Sequence, residues 1–450
     1  MSVTYKNKTA LVLGLGRSGV GAANLLDALG AHVVITDQKP ENTLVEFIKQ
    51  LSPSVKVAAG AYPNELLNHA DFIVQSPGVP LDIPFIQKAV ALNVPVLSEL
   101  ELAYTVTKAP FIAITGTNGK TTTTTLVDHI LKSGSFTTEL CGNIGQAVTD
   151  KLLKNRADVE YLVTEVSSFQ LETIFHFRPK ISAILNITPD HLDRHKSMEE
   201  YTRAKARIYE NQTKDDALVL NRDDPLVAPL GNDSPVEKWF FSTRQEVKGI
   251  YLQGNCLFFH DGIDTVRLFP AGAIPLQGRH NLENVMAAAL IAIIAGCTID
   301  TLYEAVTTFK AIGHRMELAG TVNNVTFIND SKATNPGAVL RAVEELPGVI
   351  LLMGGRDKDN DFTILKSTIR QNVKRLIIFG EAWEKINNVL GKETETTIVA
   401  SLNDAVNTAY DSALPGDVVL LSPGCASFDE FKDYADRGNR FKEMVERLSV

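Results

Sequence analysis

Ile112-Ala113-Ile114-Thr115-Gly116-Thr117-Asn118-Gly119-Lys120-Thr121-Thr122 joins a strand pattern, a glycine loop and a helix pattern in one run. An apolar run ends in a glycine loop, the loop closes on Gly-Lys-Thr-Thr, and Thr123–Leu131 continues with helical patterning. Backbone N–H groups of such a loop cradle phosphates, Lys120 neutralises the β/γ oxygens, and the Thr121 hydroxyl can ligate Mg²⁺. Ile114 stands where the full G-x-x-x-x-G-K-[ST] pattern has its first glycine. The strand before the loop and the helix after it still read as an ATP-type site, with Thr115, Gly116, Thr117, Asn118, Gly119, Lys120, Thr121 and Thr122 around the phosphates.

Outward from this loop, short β-branched apolar runs alternate with helical patterns. Ala10–Leu13, His32–Thr36, Phe72–Gln75, Phe111–Thr115, Tyr161–Val166, Ile181–Ile187, Val349–Met353, Arg375–Phe379 and Asp417–Leu421 read as buried strands. Buried strands separated by helices make βαβ units and parallel sheets, an α/β protein. Between about Asn221 and Leu276 the pattern shortens and suggests antiparallel strands. With 450 residues and roughly 150 per domain, three domains are expected. Breaks near 108 and 311 give 1–108, 109–311 and 312–450.

Hydrophobic residues make up 44% and charged residues 22%, with mean hydropathy +0.01, an ordinary globular composition. Disordered, collagen-like and membrane-embedded classes are excluded. The net charge of −9 argues against general binding of nucleic acid or anionic membranes. Cys141, Cys256, Cys297 and Cys425 show no CxxC or zinc-ligand spacing and read as reduced thiols in a cytoplasmic setting. The opening MSVTYKNKTALVLGLG has only a short apolar run before its glycines and is not expected to be a signal peptide. Val285–Cys297 is shorter than the ~20 residues of a membrane span and reads as a buried helix.

Other segments carry chemistry. Gly14-Leu15-Gly16-Arg17-Ser18-Gly19 is a GxGxxG after the first strand, and Asp37 ends the second. This pattern fits a NAD(P)- or flavin-dependent oxidoreductase, or simply a tight strand-to-helix turn. Glu165 ends a strand before Ser167-Ser168-Phe169-Gln170. Asn186-Ile187-Thr188-Pro189-Asp190-His191-Leu192-Asp193-Arg194-His195 follows another. His191 and His195 are spaced as a zinc pair, but Leu192 replaces the glutamate of HExxH and Pro189 favours a loop. Carboxylates beside a nucleotide loop suit Mg²⁺, which prefers oxygen ligands. Lys205 lies in a basic helical stretch, Met198–Tyr209. The last third adds GHRME around Arg315, NDSKATNP, GGRDK and SPGCASFDEF, each at a predicted strand end, where parallel sheets place ligands. Cys425 has no evident base and reads as a small buried thiol.

Together TGTNGKTT, EVSSFQLE, NITPDHLDRH, RAKARIY, HNLENV, GHRME, NDSKATNP and SPGCASFDEFKDYADRGNRF resemble the Mur ligase family, along essentially the whole chain. The resemblance implies Rossmann-like first and last domains around a central P-loop ATP-binding domain. It implies an ATP-dependent ligase of peptidoglycan precursor synthesis, hence of cell-wall biogenesis, cell shape and division. The last two segments look most like those of the member that adds D-glutamate to UDP-N-acetylmuramoyl-L-alanine through an acyl phosphate. Small-molecule substrates are therefore expected, with no nucleic-acid or membrane partner, and a monomer. An oxidoreductase leaves the Lys120 loop unexplained, and a non-catalytic nucleotide-binding regulator would not need Glu165, His191 and Lys205 together.

By the same resemblance, Gly14, Thr36, Asp37, Ser76, Gly78, Asn143 and His191 contact the UDP substrate, so the first glycine motif grips a nucleotide sugar and not a nicotinamide. Asn281, Arg315 and Asp330 join the ATP site. Two Mg²⁺ ions are implied, with Thr121, Glu165, His191 and a carbamylated Lys205 as ligands. Lys332, Thr334, Lys358, Ser427 and Phe431 form the D-glutamate side. Lys120, Glu165, His191, Lys205 and Lys332 are implied as catalytic.

Overall fold

The computed structural model describes residues 4–154, 159–276, 278–309 and 313–448. They gather into two units, one of 4–187 with 197–309, the other of 188–196 with 313–448. The break expected near 311 lies outside the described residues. Position 108 lies between the helix Glu99–Val106 and the strand Phe111–Thr115.

The first unit holds two sheets. In one, β1 (Thr9–Leu13), β2 (His32–Asp37), β3 (Lys56–Ala59), β4 (Phe72–Gln75) and β5 (Val96–Ser98) run parallel in the order β3-β2-β1-β4-β5. This is a Rossmann-like half. Successive side chains of β1 point to opposite faces. Ala10 and Val12 join a core with Ala22, Ala23 and Leu26 of the helix Arg17–Ala28, while Leu11 and Leu13 pack with Phe85, Ile86 and Ala89 of Pro84–Ala91. Burial on both faces is why the strand is apolar from Ala10 to Leu13. Strand order reverses between β1 and β4, and such a switch point opens a crevice at the carboxyl ends.

The other sheet comprises β6 (Phe111–Thr115), β7 (Thr138–Gly142), β8 (Tyr161–Glu165), β9 (Ile181–Ile184), β10 (Ala217–Asn221), β11 (Glu237–Ser242), β12 (Gly249–Gln253), β13 (Cys256–His260) and β14 (Thr265–Pro270). Its order is β14-β13-β12-β11-β10-β9-β6-β8-β7. The antiparallel pattern expected after Asn221 belongs to β12, β13 and β14, whereas β10, β11 and β12 run parallel. Only residues 254 and 255 link β12 to β13, far too few for the crossover a parallel pair needs. The apolar run from Val285 forms the buried part of a helix, Arg279–Ile294, which packs on Lys120–Ser133.

The second unit has one sheet: β15 (Glu317–Val322), β16 (Val325–Asn329), β17 (Val349–Gly354), β18 (Val373–Phe379), β19 (Glu395–Ile398) and β20 (Val418–Gly424). The order is β15-β16-β20-β17-β18-β19, parallel except for the edge strand β15. Its faces carry separate cores, Leu351, Met353 and Leu420 on one and Ile350, Leu352 and Leu421 on the other. Among the described residues no helix is long and apolar enough to cross a membrane.

Candidate active site

β6 delivers Thr115 to the carboxyl edge of its sheet between β8 and β9. Gly119 then turns at φ +83°, which strains any other residue, and a Cβ there would lie 2.1 Å from Asn284 Oδ1 and push that side chain aside. Asn186 braces the loop from the end of β9. Its Oδ1 accepts from Asn118 N at 2.8 Å and its Nδ2 donates to Asn118 O at 3.0 Å. Its main-chain oxygen accepts from Thr117 N at 2.9 Å. Lys120 Nζ folds over the loop and donates to Gly116 O and Thr117 O, both at 2.8 Å. Thr115 Oγ1 and Thr122 Oγ1 are buried without a hydrogen-bond partner among the described residues. Thr115 ends β6 and Thr122 lies in the first turn of the helix Lys120–Ser133, so the two hydroxyls flank the loop on either side.

Glu165, the last residue of β8, is 3% exposed. Its Oε2 accepts from Thr121 Oγ1 at 2.8 Å, and its Oε1 from Asn143 Nδ2 at 2.9 Å. Among the described residues no group of three His, Cys, Asp or Glu side chains gathers into a metal cage. A hydroxyl and one carboxylate beside a phosphate loop are what Mg²⁺ uses when substrate phosphates and water complete its shell. Ser197 starts the helix Met198–Ala206 by accepting from Glu200 N at 3.1 Å, and that helix brings Lys205 to the same loop. Lys205 is 1% exposed. Its Nζ donates to Gly116 O at 3.0 Å and lies 4.4 Å from the centre of the Tyr201 ring. Asn281 is buried in the first turn of Arg279–Ile294.

A cavity of about 580 Å³ opens at the β1/β4 switch point, lined by Gly14, Arg17, Asp37, Ser76, Gly78 and Asn143 among others. Asp37 is committed to shaping it: Oδ2 accepts from Leu15 N at 2.7 Å and Oδ1 from Lys39 N at 2.9 Å. Ser76 Oγ donates to Gly14 O at 3.0 Å. Thr36 differs from the expectation. It is fully buried with its hydroxyl donating to Ala61 O at 2.8 Å, and it does not line the cavity, because the pleat of β2 turns it inward. Burial and the nearby Asp37 charge push the Tyr62 phenol, also in the cavity wall, up to about 12.

In the second unit, the loops after β16, β20 and β17 leave the same carboxyl edge of three adjacent strands. They carry Asp330, Lys332 and Thr334, then Ser427 and Phe431, then Lys358. Asp330 Oδ2 accepts from Ser422 Oγ at 3.0 Å. Lys332 Nζ sits 5.1 Å from the centre of the Tyr434 ring. Phe431 N donates to Ser427 O at 2.9 Å while its ring packs on the core. Thr334 and Lys358 are half-buried. His191, at φ +56°, belongs to this unit because its segment folds with it, and the neighbouring Asp190 Oδ2 accepts from Asn335 Nδ2 at 3.1 Å. Arg315 lies between His314 and Met316, both at positive φ.

Four residues stand out only in three dimensions. Asn186 and Asn284 shape the phosphate loop; the i, i+3 spacing of Asn281 and Asn284 at a helix start was the available signal for the latter. Glu317 accepts from the turn that bears Arg315. Arg437, fully buried, donates from Nε to Ser331 Oγ at 3.0 Å and from Nη2 to Ser331 O at 2.8 Å and Cys425 O at 3.2 Å. Burial pushes its guanidinium down to about 10. Cys425 is fully buried, which pushes its thiol up to about 12, the environment of an inert packing residue.

Comparison with known proteins covers nearly the whole chain. Residues 8–98 match the N-terminal domain of the MurD-like Mur ligases, 114–292 the Mur ligase middle domain, and 314–425 the Mur ligase glutamate ligase domain. The chain is 43% identical over 446 residues to the UDP-N-acetylmuramoylalanine--D-glutamate ligase of Trichlorobacter lovleyi, covering 98% of this chain and 99% of that protein. It is 40% identical over 450 residues to the protein of the same name from Clostridioides difficile, with 98% and 99% covered. In three dimensions it is similar to the UDP-N-acetylmuramate-alanine ligase MurC of Thermotoga maritima, with TM-score 0.61, 19% identity and 98% and 99% coverage. The MurF ligase of Thermotoga maritima in complex with ADP gives TM-score 0.60 at 17% identity, with 100% and 99% covered.

Proposed function

The chain belongs to the Mur ligase family and is an ATP-dependent amide-forming ligase, and we propose that it joins D-glutamate to UDP-N-acetylmuramoyl-L-alanine in the synthesis of peptidoglycan precursors. The oxidoreductase reading of Gly14–Gly19 is withdrawn, since the relatives that align along the full length are ligases.

One observation carries the reading. Asn143 lines the cavity of the first sheet and at the same time donates to Glu165, which accepts from Thr121 of the phosphate loop. A substrate lying along that cavity therefore ends beside the groups that handle phosphate. The order of chemistry follows from the reactants. A carboxylate is resonance-stabilised and has no good leaving group. Its oxygen attacks the γ-phosphorus of ATP, the bond to the bridging oxygen breaks, and ADP departs. The amine of D-glutamate then attacks the acyl carbon, gives up a proton, and inorganic phosphate leaves as the amide forms.

The first step brings anions together, so fixed cations and donors supply the stabilisation. Lys120, held over the loop by Gly116 O and Thr117 O, would turn its ammonium to the phosphates, and the N–H groups of the loop would add their dipoles. Thr121 and Glu165 would hold a magnesium ion, which supplies charge neutralisation at the phosphates. Lys205 is assigned as a carbamate, which turns a buried ammonium into an anionic oxygen ligand for a second ion. Lys205 is buried beside Gly116 O and the Tyr201 ring, next to the glycine loop, where an anionic oxygen would face the phosphates. Asp37, Gly14, Ser76 and Gly78 are assigned to the UDP moiety. Asn281, Arg315 and Asp330 are assigned to the nucleotide, His191 to substrate and metal, and Lys332, Thr334, Lys358, Ser427 and Phe431 to D-glutamate, whose two carboxylates call for cations. Domains at 1–108, 109–311 and 312–450, a cytoplasmic location and a monomeric state complete the proposal.

The test is phosphate release from ATP with UDP-N-acetylmuramoyl-L-alanine, comparing D-glutamate with L-glutamate, L-lysine and no amine. Release that depends on D-glutamate, with a product heavier by one glutamyl residue, is expected. Release with another amine moves the specificity, and no release with any amine sinks the ligase reading.

A further inference from the structure

Arg315 sits in a turn that its own residues would not choose. His314 at φ +65° and Met316 at φ +46°, neither a glycine, flank it in the left-handed region. Such conformations persist only where the surroundings over-determine them, and they cluster at functional sites.

The surroundings here converge on one carboxylate. Glu317 Oε2 accepts from His314 N at 2.8 Å and from Asn329 Nδ2 at 3.1 Å, while Oε1 accepts from Lys442 Nζ at 3.1 Å. Lys442 comes from the helix Tyr434–Arg447, which presses on the turn. A Cβ on Gly438 of that helix would lie 2.3 Å from His314 Nδ1, and Gly438 O accepts from Asn329 Nδ2 at 3.1 Å. Lys332 N donates to His314 O at 3.0 Å, and Met316 N lies 3.4 Å from Asp330 Oδ1. With both ends of the turn fixed, Arg315 Nε is buried and has no hydrogen-bond partner among the described residues. A buried donor without a partner calls for a ligand.

We propose that Glu317 and Lys442 are positioning residues for Arg315, locking the strained His314–Met316 turn so that the guanidinium is presented, preformed, to the nucleotide. The inference rests on the assignment of Arg315 to ATP made above. It gives the helix Tyr434–Arg447 a part in nucleotide affinity although Lys442 is not itself assigned to any ligand. Preorganisation of this kind acts on binding, because a turn that must be ordered on contact weakens affinity by the fraction of molecules in the competent state.

The experiment uses the full chain with Glu317→Gln, Glu317→Ala, Lys442→Met and Lys442→Arg. ATP affinity is measured by calorimetry, and KM for each substrate by phosphate release. Glu317→Ala and Lys442→Met are expected to weaken ATP about tenfold, with KM for D-glutamate and for the UDP substrate moving less than twofold. Lys442→Arg should recover most of the loss. A purely structural role would lower the melting temperature and the active fraction alike in all assays and leave ATP affinity in place; that result overturns the proposal. If Glu317→Ala does not fold, Glu317→Gln, which keeps an oxygen acceptor, and Lys442→Met decide the matter by the same readout. Absence of ligation by the unsubstituted chain counts against the function reading alone, since calorimetry still reports whether the pair governs ATP binding.

Discussion

Asn143 and Glu165 are joined twice: Asn143 Nδ2 donates to Glu165 Oε1 at 2.9 Å, and Asn143 N donates to Glu165 O at 2.9 Å. The backbone bond fixes the loop after β7, and the side-chain bond fixes the carboxylate beside the phosphate loop. Asn143→Ala should keep the first and lose the second. Loss of one charge-assisted bond costs about 1.5–3 kcal/mol, so kcat/KM for the UDP substrate should fall ten- to a hundredfold. Asn143→Asp should be worse, because it sets a second carboxylate against Glu165. Activity equal to the parent's in both variants would show that Glu165 holds its place without this bond.

Lys205 is buried against Gly116 O and the Tyr201 ring. As the proposed carbamate it would supply an oxygen that alanine cannot. Lys205→Ala should therefore lose ligation by at least a hundredfold, with no recovery in bicarbonate and partial recovery in a short carboxylic acid such as acetate. Near-normal turnover in this variant would remove Lys205 from the mechanism.

Asp37 holds two N–H groups at the mouth of the cavity, those of Leu15 and Lys39. Asp37→Ala frees both and should raise KM for the UDP substrate about a hundredfold while KM for ATP stays put, since each bond to a charged acceptor is worth about 1.5 kcal/mol. Asp37→Asn, which keeps one acceptor, should fall between. A matching rise in KM for ATP would mean that the substitution spreads beyond the cavity.

Arg178 Nε donates to the buried Asp216 at 2.6 Å. Burial pushes that carboxyl up, but the bonds from Arg178 and Thr213 outweigh it and hold it below the ordinary carboxylate range. A carboxyl lowered on folding stabilises the folded state above its unfolded value of about 3.9, and that contribution is lost as pH falls through the folded value. Asp216→Asn should cost about 1–3 kcal/mol at pH 7, and the gap in melting temperature between variant and parent should narrow near pH 3. A gap that is constant with pH would show that the charge plays no part.

All four cysteines are buried, and burial raises the thiols of Cys141 and Cys425 to about 12 and that of Cys297 to about 11. A thiolate reagent at pH 7.5 should find almost none of them in the native protein and four in denaturant. Rapid labelling of Cys425 without loss of fold would contradict its packing role.

The α/β class, a glycine loop ending at Lys120 and the position of the polar clusters at strand ends are all legible in the order of the residues. These are local matters. Strands buried on both faces must be apolar throughout, as Leu351–Met353 are, and a turn that approaches phosphate needs glycine whatever surrounds it. Short peripheral strands such as β3 and β19, partly exposed and containing Lys56 and Glu395, lack that mark and could not be read in advance. Which polar residues meet depends on how each unit packs. Lys205 reaches Gly116 across 89 positions, and Thr123 meets Asn284 across 161. Packing also placed 188–196, with His191, among residues 313–448 and not with its neighbours in sequence, and it turned Thr36 into the core. Hydropathy and backbone sterics act between near neighbours and set each element; strand order and side-chain reach, which depend on the packing of the whole unit, set the partners.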